Sequence, residues 1–362
     1  MFLSRWEEKA LEGEFGEGLR LAMNVLVKVC RALKAEKLIG IPHAHVSGVS
    51  YFNIGDEGVE LLKDLAEKGA RTSVYTTANP LSIAVSDAFS ELYPADVVDK
   101  QRMIRDLLTA MGVDSKSFTC APYKLRKPSY GEHLAWAESS AVIYANTVVG
   151  ARTNREGGVV ALMAGITGRT CYCGMHLDEN RYPTEAIEVD FPVNSIAVAS
   201  ALGLYIGKVT HGIPYIRTRI SVGGRARDVL IRSMLASIAT TSSSAMAFIE
   251  GGSPEARKVN VAELEKICVD MADIKDFLET SCSGTLYIGC PHIDLDEARE
   301  ILFLVRESLK GLGVDRVLVS TPMYEVGRLG STRELVNGVE VVYLPGLCPV
   351  VSDLKLLAKA IV

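Results

Sequence analysis

The chain lacks the features that mark several protein classes. No apolar run is long enough to span a bilayer, and the longest uncharged stretch, Ser233–Ile249, carries too many serines and threonines to face lipid. The opening MFLSRWEEKALEGEFGE holds no uninterrupted apolar segment, because Arg5, Glu7, Glu8 and Lys9 fall inside it, so no secretory signal is expected. Positive charge is not in excess: 39 Lys and Arg face 44 Asp and Glu, a net charge of −5. That argues against a general nucleic-acid binder, which needs a basic face, but leaves room for a local basic pocket. None of the eight cysteines forms a C-x-x-C pair, so a zinc ribbon or a thioredoxin-type site is not expected. Neither a P-loop nor a GxGxxG fingerprint is present, and no repeat of fixed period is found. The expectation is a cytoplasmic protein with no membrane or nucleic-acid partner.

What is present describes a folded α/β chain. Its 362 residues, 48% hydrophobic and 23% charged, suit two or three domains. Ser4 and Glu7 read as a capping box that opens a helix. Residues 17–37 are apolar at helical spacing, and Gly58–Lys68 reads as another helix. Short apolar strands are expected at Leu38–Pro42, Arg71–Thr76 and Ser139–Ala145. Later strands are expected at Thr285–Ile288, Arg316–Ser320 and Val339–Leu344, with a helix over Leu295–Leu312. Strands alternating with helices predict α/β layers, with ligands at the carboxyl ends of parallel strands. Thr184–Asn194 and Gly251–Lys258 interrupt the pattern and divide the chain into 1–183, 184–257 and 258–362.

The segment Asn146–Gly158, NTVVGARTNREGG, packs Asn146, Arg152, Asn154, Arg155 and Glu156 against the apolar run before it. Two guanidinium groups beside two amides can grip a carboxylate or phosphate by paired, charge-assisted hydrogen bonds. A helix start with an internal Arg–Glu pair would look the same. Cys120 (TCAPY), Cys290 (GCPH) and Cys348 (GLCPV) share a second feature, a proline one or two residues later. Proline fixes the backbone, and three thiolates on rigid turns could hold an iron–sulfur cluster with one iron open to substrate. Three buried thiols of the core would read alike. The eight cysteines are expected to be thiols or metal ligands rather than a disulfide framework. His43 and His45, two apart in PHAHVSG, could form a metal pair or a base with its orienter, in the company of Ser47, Asn53 and Asp56. His176 and His211 are further polar points between apolar stretches. The glycine-rich pieces GITGRT and SVGGRARD read as plain turns.

Taken together, HAHVSGVSY, YFNIGD, TCAPY, ESSAVIYANTVVGARTNREGG, GMHLDENRYP, HGIPY, GCPH and the Cys348 loop closely resemble the aconitase X family, in its large part. The resemblance spans nearly the whole chain. It implies multi-layer α/β domains of the aconitase type around a central cluster cavity, and the chain, ending soon after Cys348, lacks room for the swivelling domain. It implies an iron–sulfur dehydratase whose cluster sits on Cys120, Cys290 and Cys348, as 4Fe–4S or, after loss of the labile iron, 3Fe–4S. The split type, found in archaea, pairs with a small swivelling-domain subunit and dehydrates mevalonate 5-phosphate to trans-anhydromevalonate 5-phosphate, a step toward isoprenoids. The fused type acts on cis-3-hydroxy-L-proline. For this small anionic substrate the resemblance points to Arg152 and Arg155 as anion binders, with Asn53, Asn146, Asn154 and Glu156 fixing orientation. His45, Ser47, His176 and His211 are candidates for proton transfer. The base is a serine of the partner, or Ser139 or Ser140 of this chain. Lys124, Arg126 and Lys127 could supply a phosphate pocket. A non-catalytic iron–sulfur redox protein is the alternative from another class.

Overall fold

The computed structural model of the chain describes residues 1–83, 93–278, 284–302 and 313–348. Cys282, and the part of the expected helix beyond residue 302, lie outside the described residues. The first region begins with the expected capping box: Glu7 N donates to Ser4 Oγ at 3.4 Å and Ser4 N to Glu7 Oε2 at 2.8 Å. The helix Arg5–Glu12 ends at Gly13, and Glu17–Ala32 follows. The latter buries Ala22, Met23, Leu26 and Cys30 against Leu62, Leu65, Ile104 and Leu108. Beneath these helices, β2 (His43–Val46) lies between β3 (Tyr75–Ala78) and β4 (Ala135–Trp136), all parallel. β1 (Leu38–Gly40) pairs antiparallel with β5 (Arg169–Cys171).

One expectation about the cysteines is corrected here. Cys30 and Cys171 are joined in a disulfide that ties the helix Glu17–Ala32 to β5. A cross-link between residues 141 apart in the chain has no spacing signature, so sequence alone gave no warning of it.

Two element expectations also change. Ser139–Ala145 was expected as a strand, but Ser139–Tyr144 is helical and runs into a π-turn over Ala145–Val149. The Glu138 carboxylate caps this helix by accepting from Ala141 N at 2.6 Å. Its apolar residues are buried between two clusters, and an apolar run covered on all sides shows no period that separates helix from strand. Thr184–Asn194, expected as a break, contains β6 (Glu185–Val193), an inner strand of the parallel sheet β8-β7-β6-β9. Pro192 is tolerated because the register slips between Glu188 and Pro192, near the strand end.

In that sheet β7 is Pro214–Ile220, β8 Phe248–Ile249 and β9 Glu265–Val269. The helices Ile196–Val209 and Gly224–Thr241 cover it and approach each other closely at Gly203, where an added Cβ would lie 2.3 Å from the Met234 carbonyl. The third sheet has order β10-β11-β13-β12. Its strands β10 (Gly284–Ile288), β11 (Val314–Thr321) and β13 (Val339–Pro345) are parallel, and β12 (Arg333–Val336) returns antiparallel through an Asn337–Gly338 turn with positive φ at both positions. The helix that begins at Leu295, as the sequence predicts, packs on this sheet through Leu295, Ala298 and Leu302. Among the described residues, no helix is long and apolar enough to cross a membrane.

Candidate active site

Of the three proline-flanked cysteines, Cys290 and Cys348 sit on loops that leave the carboxyl ends of β10 and β13, and Cys120, after the helix Ala95–Ala110, docks beside the end of β3. Beyond β3, Thr119 N bonds to the Ala78 carbonyl and Cys348 N to the Leu81 carbonyl at 3.1 Å, so one strand end carries both the Cys120 and the Cys348 loops. Cys290 follows β10. Gly289 before it has φ of 144° and lies so close to β11 that an added Cβ would meet Ser320 at 2.6 Å, so a side chain would push this loop away. His292 ties the loops together: its backbone N–H donates to Cys120 Sγ at 3.1 Å, and its Nε2 donates to the Leu347 carbonyl at 3.1 Å. Burial holds His292 down at about 4, so its ring stays neutral.

The three thiols feel one another electrostatically. Burial, followed by Glu138, Cys290 and Cys348, pushes the Cys120 thiol well above its ordinary value. Cys290 is reached by solvent, yet burial, Glu138 and Cys348 push it up to about 12. Three thiolates beside a carboxylate repel unless a cation is shared among them, and a sulfur donor set with an N–H···S bond suits iron–sulfur ligation. Among the described residues, no three His, Cys, Asp or Glu side chains close on a single ion.

Glu138 and Tyr287 line the same place and were not among the expected site residues. Burial raises Glu138, opposed by bonds from Ser140 and Ala141 and by the charge of Arg155. Ser140 Oγ donates to Glu138 at 2.6 Å, and Ser139 Oγ reaches it at 3.4 Å. Tyr287 donates to Ser320 at 3.0 Å, and its phenol is raised by burial, then by Cys348, Cys290 and Cys120. A carboxylate opening the ESSAVIY block is a helix-cap signal that could have exposed Glu138; the location of Tyr287 depends on a strand pairing no local pattern shows.

The structure thus places Cys120, Cys290, Ser139, Ser140 and Arg155 around Glu138, with Cys348 beside the other two thiols. Arg155 is exposed and, among the described residues, donates to the Ser242 carbonyl at 3.2 Å. The rest of its segment is bonded internally. Asn146 is fully buried; its amide donates to the Thr153 and Ala245 carbonyls, both at 2.8 Å, and its oxygen accepts from Thr153 N and Arg181. Arg152 binds the His176 carbonyl and pairs with Asp178. Asn154 bonds to the Cys173 carbonyl and accepts from Met175 N. Glu156 is buried against Thr170 at 2.8 Å. Asn146, Arg152, Asn154 and Glu156, expected to bind substrate, are thus held by bonds to the protein in this structure.

Three of the four histidines of the expected site or its neighbourhood, His43, His45 and His176, are buried and bonded within the protein. His43 and His45 share a face of β2, as strand alternation requires, and meet at Thr77 Oγ1, at 3.0 and 2.7 Å. His45 Nε2 also faces Asn79 at 2.9 Å, and burial lowers the ring to about 4. Both of its ring nitrogens are thus bonded within the protein. His176 faces His133, Nδ1 to Nδ1 at 2.9 Å, and burial, then His133 and Arg181, lower it to about 3. His211 is exposed on a groove with Lys208 and Ser242–Ser244. Ser47 is half-buried with its carbonyl against Gly158, and Asn53 is exposed in the first turn of Tyr51–Glu67. Lys124 pairs with Asp294 and Glu297; Arg126 pairs with Glu132 but keeps a buried Nη1 without a hydrogen-bond partner among the described residues, and Lys127 is exposed.

Known proteins match this chain along most of its length. The family profile for the aconitase X first domain matches residues 1–179, and that for its second domain residues 183–279. The phosphomevalonate dehydratase large subunit of Thermococcus kodakarensis is 38% identical, over 98% of this chain and 90% of its own. That of Aeropyrum pernix is 36% identical, over 100% of this chain and 92% of its own. A cis-3-hydroxy-L-proline dehydratase of Pseudomonas aeruginosa is 34% identical over 70% of this chain, which is 43% of that protein. The crystal structure of Thermococcus kodakaraensis aconitase X in its holo-form superposes with a TM-score of 0.85 at 37% identity, covering 98% of this chain and 90% of that one.

Proposed function

Because this chain belongs to the aconitase X family, we propose that it is the large subunit of an iron–sulfur hydro-lyase that dehydrates (R)-mevalonate 5-phosphate to trans-anhydromevalonate 5-phosphate in a modified mevalonate route to isoprenoids. Relatives of that name along nearly the whole chain support the reading. The observation that carries it is the convergence of the Cys120, Cys290 and Cys348 thiols on one another, with Glu138 beside the first two and the His292 N–H on Cys120. The division into 1–183, 184–257 and 258–362 belongs to the same proposal.

Cys120, Cys290 and Cys348 would hold a 4Fe–4S cluster, or 3Fe–4S once the iron without a protein ligand is lost. When bound, that cluster supplies Lewis acidity to a departing hydroxyl. The chain's own residues do the remaining work. Arg155 has donors free to grip the substrate carboxylate, and its charge stabilises negative charge growing on the adjacent carbon. Glu138, oriented by Ser140 and by Ala141 N, is aimed to bond a substrate hydroxyl or leaving water. Ser140 is already committed to Glu138, which favours Ser139, held at 3.4 Å, as the looser serine of this chain. The other source of the base is a small swivelling-domain subunit, which also excludes water by closing over the cleft. The complex works in the cytoplasm.

One observation favours a second reading within the same chemistry. Lys124 is ion-paired with Asp294 and Glu297, which removes one cation from a phosphate pocket and leaves another hydroxy acid, such as cis-3-hydroxy-L-proline, as the competitor. Anaerobic purification with the small subunit, followed by assays on both substrates, separates them. Turnover of mevalonate 5-phosphate alone is expected. Turnover of hydroxyproline alone selects the second reading, and neither activity in an iron-loaded complex rejects both.

A further inference from the structure

The segments that carry Cys120 and Cys290 meet in a buried ionic chain that the dehydration does not use. Lys124, four residues after Cys120, places Nζ 2.6 Å from Asp294 and 2.5 Å from Glu297. Those two carboxylates also form a reciprocal cap on the helix that follows Cys290: Asp294 N donates to Glu297 at 3.0 Å and Glu297 N to Asp294 at 2.8 Å. Arg232, in the middle of the helix Gly224–Thr241 and 2% exposed, pairs with Glu297 and, at 2.8 Å, with Asp228. Asp228 in turn accepts from the Tyr144 hydroxyl at 3.1 Å. Tyr144 stacks on Tyr123, with ring centroids 4.1 Å apart. Tyr123 closes the path to the thiols: its phenol is raised by burial, lowered by Arg232 and raised again by Cys120. Glu325, Arg328 and Asp296 extend the charges on the outer side.

Stability alone does not account for such a chain, because a buried ion pair is often no better than apolar residues of the same volume. Its geometry supplies another reason. One guanidinium joins the middle helix to the carboxylate that grips the Cys120 segment and caps the Cys290 segment. We infer that Arg232 is a positioning residue that fixes the Cys120 and Cys290 loops at the separation a shared iron–sulfur cluster requires. This rests on the cluster reading above. Without Arg232, Glu297, which grips Lys124 and caps the helix after Cys290, is no longer held to the middle helix, and the two loops can separate.

The test uses the full chain, anaerobically reconstituted with iron and sulfide. Iron content, the visible sulfur-to-iron absorption and the rate of its bleaching by an iron chelator are read beside far-ultraviolet circular dichroism. Arg232→Met is expected to bleach about tenfold faster than wild type while keeping its helical signal, the scale on which lost supporting contacts weaken a metal site. Arg232→Lys recovers part of the difference. Arg181→Met, which breaks another buried pair, with Glu255, is expected to melt earlier yet bleach at the wild-type rate. Bleaching of Arg232→Met at the wild-type rate overturns the inference. If that variant does not fold, Arg232→Met/Glu297→Met removes both buried partners, and wild-type bleaching of the double variant overturns it equally. A wild-type chain that takes up no cluster, indistinguishable from Cys120→Ser, instead rejects the cluster reading itself.

Discussion

The cysteine cleft and the Asn146–Glu156 segment are both dense in polar side chains, but they direct their hydrogen bonds differently. In the segment, Asn146 alone makes four side-chain bonds, all to protein, and joins the π-turn, the loop before β8 and Arg181. Around Glu138, burial and neighbouring groups keep the Cys120 and Cys290 thiols protonated, so turning them into thiolates needs something cationic to be shared. A brace has its donors and acceptors matched from within; a binding site is left with an imbalance that only a ligand corrects. Arg155 is where the two regions touch. It is the member of the segment whose guanidinium is exposed and senses Glu138.

The largest expected effect breaks the comparison at its centre. Cys290→Ala should abolish iron retention and lower dehydratase turnover by about a thousandfold or more, the upper range for losing one essential electrostatic group. Iron and turnover at wild-type levels would place the cluster elsewhere. Next, Asn146→Ala should destabilise the fold by about 3 kcal/mol, because it leaves a buried Thr153 N–H and two carbonyls without their partner. Denaturant unfolding measures this. Turnover per folded molecule should stay within about twofold, and a selective collapse of turnover would return Asn146 to substrate binding.

Arg155→Lys sharpens the boundary between the regions. It should lower kcat/KM about tenfold, since an ammonium cannot reproduce the paired donors, whereas Arg152→Lys, already held by Asp178 and the His176 carbonyl, should change it less than about twofold. Steady-state assays of both variants decide the matter, and equal effects would erase the distinction. The smallest effect concerns His45. Its folded value of about 4 lies below the ordinary 6.5, so the unfolded chain binds a proton first as pH falls. Its contribution is complete above pH 6.5 and is lost progressively down to about 4. Urea midpoints should therefore drop between pH 7 and 5.5, by on the order of 1 kcal/mol from this residue. His45→Gln should flatten that slope; an unchanged slope would show that other groups dominate.

Local signals were legible in the sequence where they were chemically specific. The Ser4–Glu7 capping box and the strands around Arg316–Ser320 and Val339–Leu344 follow from short-range rules, and the structure contains them. Ser139–Tyr144 did not read as a helix because burial on every side removes its periodicity, and Pro192 concealed a strand that a register slip accommodates. His43 and His45 were rightly paired by the two-residue period, but the period could not reveal that Thr77 and Asn79, on the neighbouring strand, would occupy their nitrogens.

The sequence by itself determined the α/β layering, the family and the residue types from which a thiol site could be built, because those follow from composition, local pattern and long matching motifs. Only the tertiary structure decided which polar residues are free. Whether Asn146 braces or binds, whether Lys124 meets a phosphate or Glu297, and whether Cys30 is a thiol or half of a disulfide depend on partners 7 to 173 residues away. A side chain's chemistry is fixed by its type, but its availability is fixed by what the fold brings within about 3 Å of it.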